Sequence, residues 1–208
     1  MAAANERYLQ ASGLILDRQP AGEHHLRLAL LTADQGMLAP FWRPARKSSG
    51  KTGEAPDLFD EGECSLERAR QGDGLFVKEF RLERRRGELA RHYAAFQTAS
   101  RLAAFFARNA PHLPETAAVL QLCRTALDRL GAGAPPAVVY LKTLVRFCQE
   151  EGYPVRQEWL TSLPPDLARN IAQVLPTPLD ALPEELPDLS KALEHLEAWM
   201  RRGTDFYL

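Results

Sequence analysis

The stretch SGLILDRQPAGEHHLRLALLTADQGMLAPFW, residues 12–42, has an apolar period of two rather than of three to four. Leu14 and Leu16 fall on one side of a first strand. Leu26, Leu28 and Leu30 line one face of a second, with His25, Arg27 and Ala29 on the other. Pro20 and Gly22 suit the hairpin connection between them, and Asp34-Gln35-Gly36 marks the next turn. GMLAPFW then continues as a third strand. GECSLERARQG and GLFVKEFRLE, separated by Gly72, Asp73 and Gly74, supply two more. Five short strands in a unit of this size predict a small closed antiparallel barrel, since a flat meander would leave long edges to protect.

From about Arg84 the period becomes helical. In RRGELARHYAAFQTASRLAAFFARN, Leu89, Tyr93, Phe96, Leu102, Phe105 and Phe106 recur on one side, and Pro111 and Pro114 end the run. ETAAVLQLCRTALDRLG predicts a second helix closed by Gly131, and PPAVVYLKTLVRFCQEEG a third closed by Gly152. PPDLARNIAQVL, opened by proline, predicts a fourth, and LPDLSKALEHLEAWMRRG a fifth. Pro176, Pro178, Pro183 and Pro187 stiffen the connection before the last. The expected fold class is therefore α+β with two domains: a β-barrel over residues 1–80 and an all-α domain over 81–208.

With 45% apolar and 25% charged residues in 208, the composition is that of an ordinary globular protein. No apolar run is long enough for a membrane helix, and MAAANERYLQ is too polar for a secretory signal. Cys64, Cys123 and Cys148 are odd in number and widely spaced, which fits buried, reduced thiols in a cytoplasmic protein better than disulfides or a metal site. Net charge is only -1, but its distribution is uneven. Residues 81–130 carry 9 Lys and Arg against 4 Asp and Glu, whereas residues 131–208 carry 7 against 11.

ARKSSGKTG, residues 45–53, contains the tail of a phosphate-binding loop, G-x-x-x-x-G-K-[ST]. Ala45 stands where the pattern needs its first glycine, and GEAPDLFDEG follows where a helix should open. A nucleotide site is not expected. His24-His25 would point to opposite faces of a strand, and the pairs Glu150-Glu151 and Glu184-Glu185 read as solvated charge. No nucleophile has a plausible base nearby in sequence, so the expected class is a binding protein rather than an enzyme.

The cations then carry the functional reading. FWRPARKSSGK places Arg43, Arg46, Lys47 and Lys51 around a loop between barrel strands, with Phe41 and Trp42 as candidate base-stacking rings. Alternation requires that one of the two rings face the barrel core. Arg84, Arg85 and Arg86, with Arg91, are expected to open the first helix, where cations oppose the macrodipole and call for a compensating anion. Glu83 and Glu88 neutralise part of that patch.

The order of these features resembles the recombination mediator RecO. The shared pattern is a strand, a hairpin with Gly22-Glu23, a strand ending at Thr32, a turn at Gly36, and a strand entering the loop Arg43-Pro44-Ala45-Arg46-Lys47. VVYLKTLVRFCQEEGYPVRQEWL, with its step at Gly152, Tyr153 and Pro154, and LEHLEAWMRRGTDFYL are similar to later helices of that family. The resemblance implies an N-terminal OB-fold barrel and a helical domain. It also implies binding of single- and double-stranded DNA, strand annealing, and partnership with RecR and with the C-terminal tail of single-strand-binding protein in loading RecA. The implied location is cytoplasmic, at the bacterial nucleoid when DNA is bound. Carried over, Arg43, Arg46, Lys47 and Lys51 would meet phosphates and Arg84, Arg85 and Arg86 would extend the track. Many members hold a structural zinc with four cysteines after the Gly-Tyr step; YPVRQEWLTSLPPDL has none, so no metal or other cofactor is expected. The barrel half is not net basic, which keeps open an alternative in which a helical interaction scaffold has lost most DNA binding.

Overall fold

The structure is a computed structural model and describes residues 7–43 and 55–208. β1 (Tyr8–Ala21) and β2 (His25–Thr32) form the expected hairpin, and β5 (Glu61–Arg68) and β6 (Leu75–Arg84) form another. Between them, the expected third strand is split into β3 (Met37–Leu38) and β4 (Phe41–Trp42). The break falls at Ala39-Pro40, where proline has no N–H to give a ladder; its carbonyl instead accepts from the Leu28 amide at 2.9 Å.

β1 pairs with both β2 and β5, β5 pairs with β6, and β4 bridges β2 to β6. The chain thus begins with a closed five-stranded barrel, β1-β5-β6-β4-β2 and back to β1, with β3 paired to β2. The β4–β6 bridge is parallel and is made by one residue pair, Phe41 and Phe76.

Ala11, Ile15, Leu28, Leu30, Cys64 and Leu66 fill the barrel, and Trp42, Val77 and Phe80 pack against them. Leu28 and Leu30 face inward as the alternation in β2 requires. In β1, however, Ile15 joins the core, while Leu14 and Leu16 are also fully buried. A strand covered on both faces reads as an unbroken apolar run, which does not identify its inner side.

Closure is tightest where Gly13 of β1 pairs with Gly62 of β5. A Cβ on Gly13 would lie 2.3 Å from the Leu31 carbonyl oxygen, and one on Gly62 would lie 2.3 Å from that of Arg81. Both obstacles are backbone, which cannot rotate aside as a side chain would.

Helices follow the barrel. A 3₁₀ turn (Gly87–Arg91) precedes α1 (Tyr93–Asn109), so the first helix starts later than the change of period at Arg84 suggests. Its buried stripe is also different. Tyr93 and Phe96 are 79% and 39% exposed, whereas Ala95, Ala99, Leu102, Ala103, Phe105 and Phe106 are buried. Ala95, Ala99, Leu102 and Phe106 follow one another at helical spacing, so small residues carry the stripe and the two N-terminal aromatics lie off it.

α2 (Ala117–Gly131) buries Leu120, Cys123, Leu127 and Leu130, and α3 (Pro136–Glu150) buries Val138, Leu141, Leu144, Val145 and Cys148. α4 (Pro165–Val174) and α5 (Ser190–Gly203) match the fourth and fifth expected helices. Between α3 and α4, a π-helical turn at Arg156–Leu160 buries Trp159 completely. The periodicity assigns no element there.

Two compact units result. One is built on the barrel together with Phe106–Arg124, the other on Gly87–Phe105 and Thr125–Leu208. Within the first, the Thr116 hydroxyl donates to the Thr32 carbonyl at 2.7 Å, tying the start of α2 to the end of β2. Within the second, Phe206 packs 4.7 Å from Phe147 and 5.0 Å from Tyr153, which anchors the last residues.

Gly62→Ala is expected to lower the free energy of unfolding by about 1–3 kcal/mol or more through overpacking. The check is a fall in the urea midpoint. An unchanged midpoint would show that the barrel does not close as tightly as described.

Candidate nucleic-acid interface

The basic residues marked out by the sequence divide by what surrounds them. Arg43 is exposed, immediately after β4, and has no acidic partner among the described residues. Arg46, Lys47 and Lys51 lie outside the described residues, as does most of the 45–53 motif. Arg84 is exposed at the end of β6. Arg85 and Arg86 follow in the connection that leads to the 3₁₀ turn, not in the first turn of α1.

That position removes the expected conflict with the helix macrodipole, and the compensating anions prove to be internal. Arg85 grips Asp60 with two hydrogen bonds, Nε to Oδ1 at 3.0 Å and Nη2 to Oδ2 at 2.8 Å. The Asp60 carboxylate is fully buried and also accepts from the Asp57 amide at 2.9 Å. Arg86 departs most from expectation. Its side chain is wholly enclosed, donating to Glu61 at 2.9 Å and to the Phe59 carbonyl at 3.1 Å. Glu61 also accepts from Arg124 of α2.

This network shapes the backbone around it. Phe59, whose carbonyl receives Arg86, has φ +68, a conformation that costs a non-glycine residue free energy and persists only where its surroundings hold it. The amide of Phe59 donates to the Ile15 carbonyl and the Ile15 amide donates to the Asp60 carbonyl, each at 2.9 Å. Arg85 and Arg86 therefore bind the entry of β5 to the exit of β6. They do not form an open cationic track with Arg84.

The aromatic pair resolves by alternation. Trp42 packs against the barrel core, so Phe41 points outward. There its ring lies 5.7 Å from that of Phe76, and the His25 ring lies 6.3 Å from that of Phe76. Arg27, directly across the β2–β4 ladder from Phe41, is exposed and has no ion pair among the described residues. Sequence reasoning places His25 and Arg27 on the outer face of β2 but gives them no role beyond that. It leaves out Phe76, because its partner Phe41 is reached only through the long-range β4–β6 bridge.

One acid shares this face. Glu67 pairs across the β5–β6 ladder with Phe76. Hydrogen bonds from Lys78 and then Arg7 hold its carboxyl below the usual carboxylate range. With Lys78 at 3.0 Å and the Arg7 Nε at 2.9 Å, the three groups together are net cationic.

Other candidate chemistry is not assembled. His24 lies in the β1–β2 turn and His25 in β2. Among the described residues, no three His, Cys, Asp or Glu side chains converge as metal ligands would. All three cysteines are buried, and burial pushes the Cys64 and Cys148 thiols up to about 12. Among the described residues no helix is long and apolar enough to cross a membrane. No protein-family model and no curated protein sequence matches the chain.

Glu61→Ala leaves a buried guanidinium without its carboxylate and is expected to cost about 3–5 kcal/mol of stability. Urea denaturation measures it. A loss below about 1 kcal/mol would mean that the Arg86–Glu61–Arg124 network contributes little.

Proposed function

We propose that this protein is a non-enzymatic, DNA-binding recombination mediator of the RecO kind, with its barrel of the OB type. Ring order supports the OB reading. Numbered by ring strands alone it runs 1-2-3-5-4 and closes back to 1, with the third and fifth parallel, which is a five-stranded Greek-key arrangement. The observation that carries the functional reading is Arg43. It stands exposed and without an acidic partner among the described residues, directly after a barrel strand and just ahead in sequence of Arg46, Lys47 and Lys51.

In this reading those four cations hold the phosphates of single- and double-stranded DNA, and Arg84 adds to them. Arg85 and Arg86 serve the barrel instead. The helical part binds the C-terminal tail of single-strand-binding protein and RecR, so that strands are annealed and RecA is loaded. A second reading is an interaction scaffold in which DNA binding has been lost. The internal neutralisation of Arg85 and Arg86 favours it, because it removes two of the cations available to a polyanion.

Fluorescence anisotropy with labelled DNA at low salt separates the two. Saturable binding that salt abolishes supports the mediator, and no binding at micromolar protein supports the scaffold. Replacing Arg43, Arg46, Lys47 and Lys51 together with Ala is expected to weaken binding with little sequence dependence. The log–log salt slope for single strands should become shallower by up to ~3. Unchanged affinity and slope in the folded variant would reject the assignment.

A further inference from the structure

We propose that the rings of Phe76 and Phe41, edged by His25, form a stacking platform for the bases of a single-stranded polynucleotide. Arg27 and Arg43 hold the adjoining phosphates. The inference rests on the DNA-binding reading above and gives it a location and a preferred strand state.

The platform is a product of the barrel's closure. Leu75 and Val77 turn toward the core, so Phe76 between them turns out, and 36% of it remains exposed. A single exposed ring is commonplace, but here three rings are contiguous across three strands. Phe41 and Phe76 are inclined at only 34°, which offers a broad apolar surface, while His25 meets Phe76 edge-on at 67°.

Charge on the same face selects the partner. Several other barrel arginines meet acids: Arg7 meets Glu67 on this face, and Arg81 meets Glu63, Arg85 Asp60 and Arg86 Glu61. Arg27 and Arg43 have no acid partner among the described residues, and they flank Phe41, one across the ladder and one two residues on. Glu67, the acid opposite Phe76, is already held by Lys78 and Arg7. Aromatic surface interleaved with unpaired guanidinium is the combination that grips unstacked bases and their phosphates together. A duplex keeps its base faces covered and would engage only the cations.

Two oligonucleotides of about 20 nucleotides and equal charge test this, one oligo(dT) and one abasic throughout. The wild-type protein is expected to bind oligo(dT) about fivefold or more tightly than the abasic strand. Phe76→Ala should remove most of that preference without changing the salt slope, and Phe76→Trp should keep it. Arg27→Ala should weaken both strands alike and flatten the slope by about 0.7. Equal wild-type affinity for the two strands, or a full preference retained in Phe76→Ala, overturns the platform while leaving DNA binding intact. Binding to neither strand overturns the platform and the DNA-binding reading together.

Discussion

Ring closure through one parallel residue pair, Phe41 with Phe76, is the constraint from which the candidate interface follows. β4 is only two residues long, yet it joins β2 to β6 and turns an open sheet into a barrel. Once that bridge forms, alternation leaves no freedom. Trp42 must enter the core, Phe41 must leave it, and Phe76 must come alongside. Arg27 is then set beside Phe41 by the β2–β4 register, and Arg43 follows directly after β4. The opposite side of the ring has its own requirement, the absence of side chains at Gly13 and Gly62 where the strands pass closest.

The arginines show why a count of charges is a poor guide to a polyanion site. The run Arg84-Arg85-Arg86 is the densest cationic stretch in the chain, and two of its three members are committed to carboxylates of the barrel, the fully buried Asp60 and the partly buried Glu61. Desolvation makes that commitment strong: a buried carboxylate such as Asp60 needs a cation and hydrogen-bond donors, and the arginine that supplies them is held in place. Arg27 is isolated in sequence and looks unremarkable, whereas Arg43 heads the basic stretch that the sequence singles out; both stand exposed with no acid partner among the described residues.

Much of the architecture is legible in the sequence because it depends on local pattern. The alternation of Leu26, Leu28 and Leu30, the turn residues and the helical stripes of α2, α3 and α5 are properties of short windows, and the elements stand where those windows place them. What is not legible depends on contacts distant in the chain. Leu14, Ile15 and Leu16 are buried on both faces, so no alternation survives to orient β1. Tyr93 and Phe96 continue an apolar rhythm but lie off the stripe that Ala95 and Ala99 define. Arg86 is enclosed by Phe59 and Glu61, which precede it by 27 and 25 residues. Phe76 gains its meaning from Phe41 through a bridge that no local period encodes.

The most direct test of the central claim is an amide chemical-shift map of the isotopically labelled protein titrated with oligo(dT) at low salt. The largest perturbations should fall on His25, Arg27, Phe41, Arg43 and Phe76, with Arg85 and Arg86 little affected. Perturbations confined to the helices, or strongest at Arg85 and Arg86, would contradict a polynucleotide lying across the β2–β4–β6 face of the barrel.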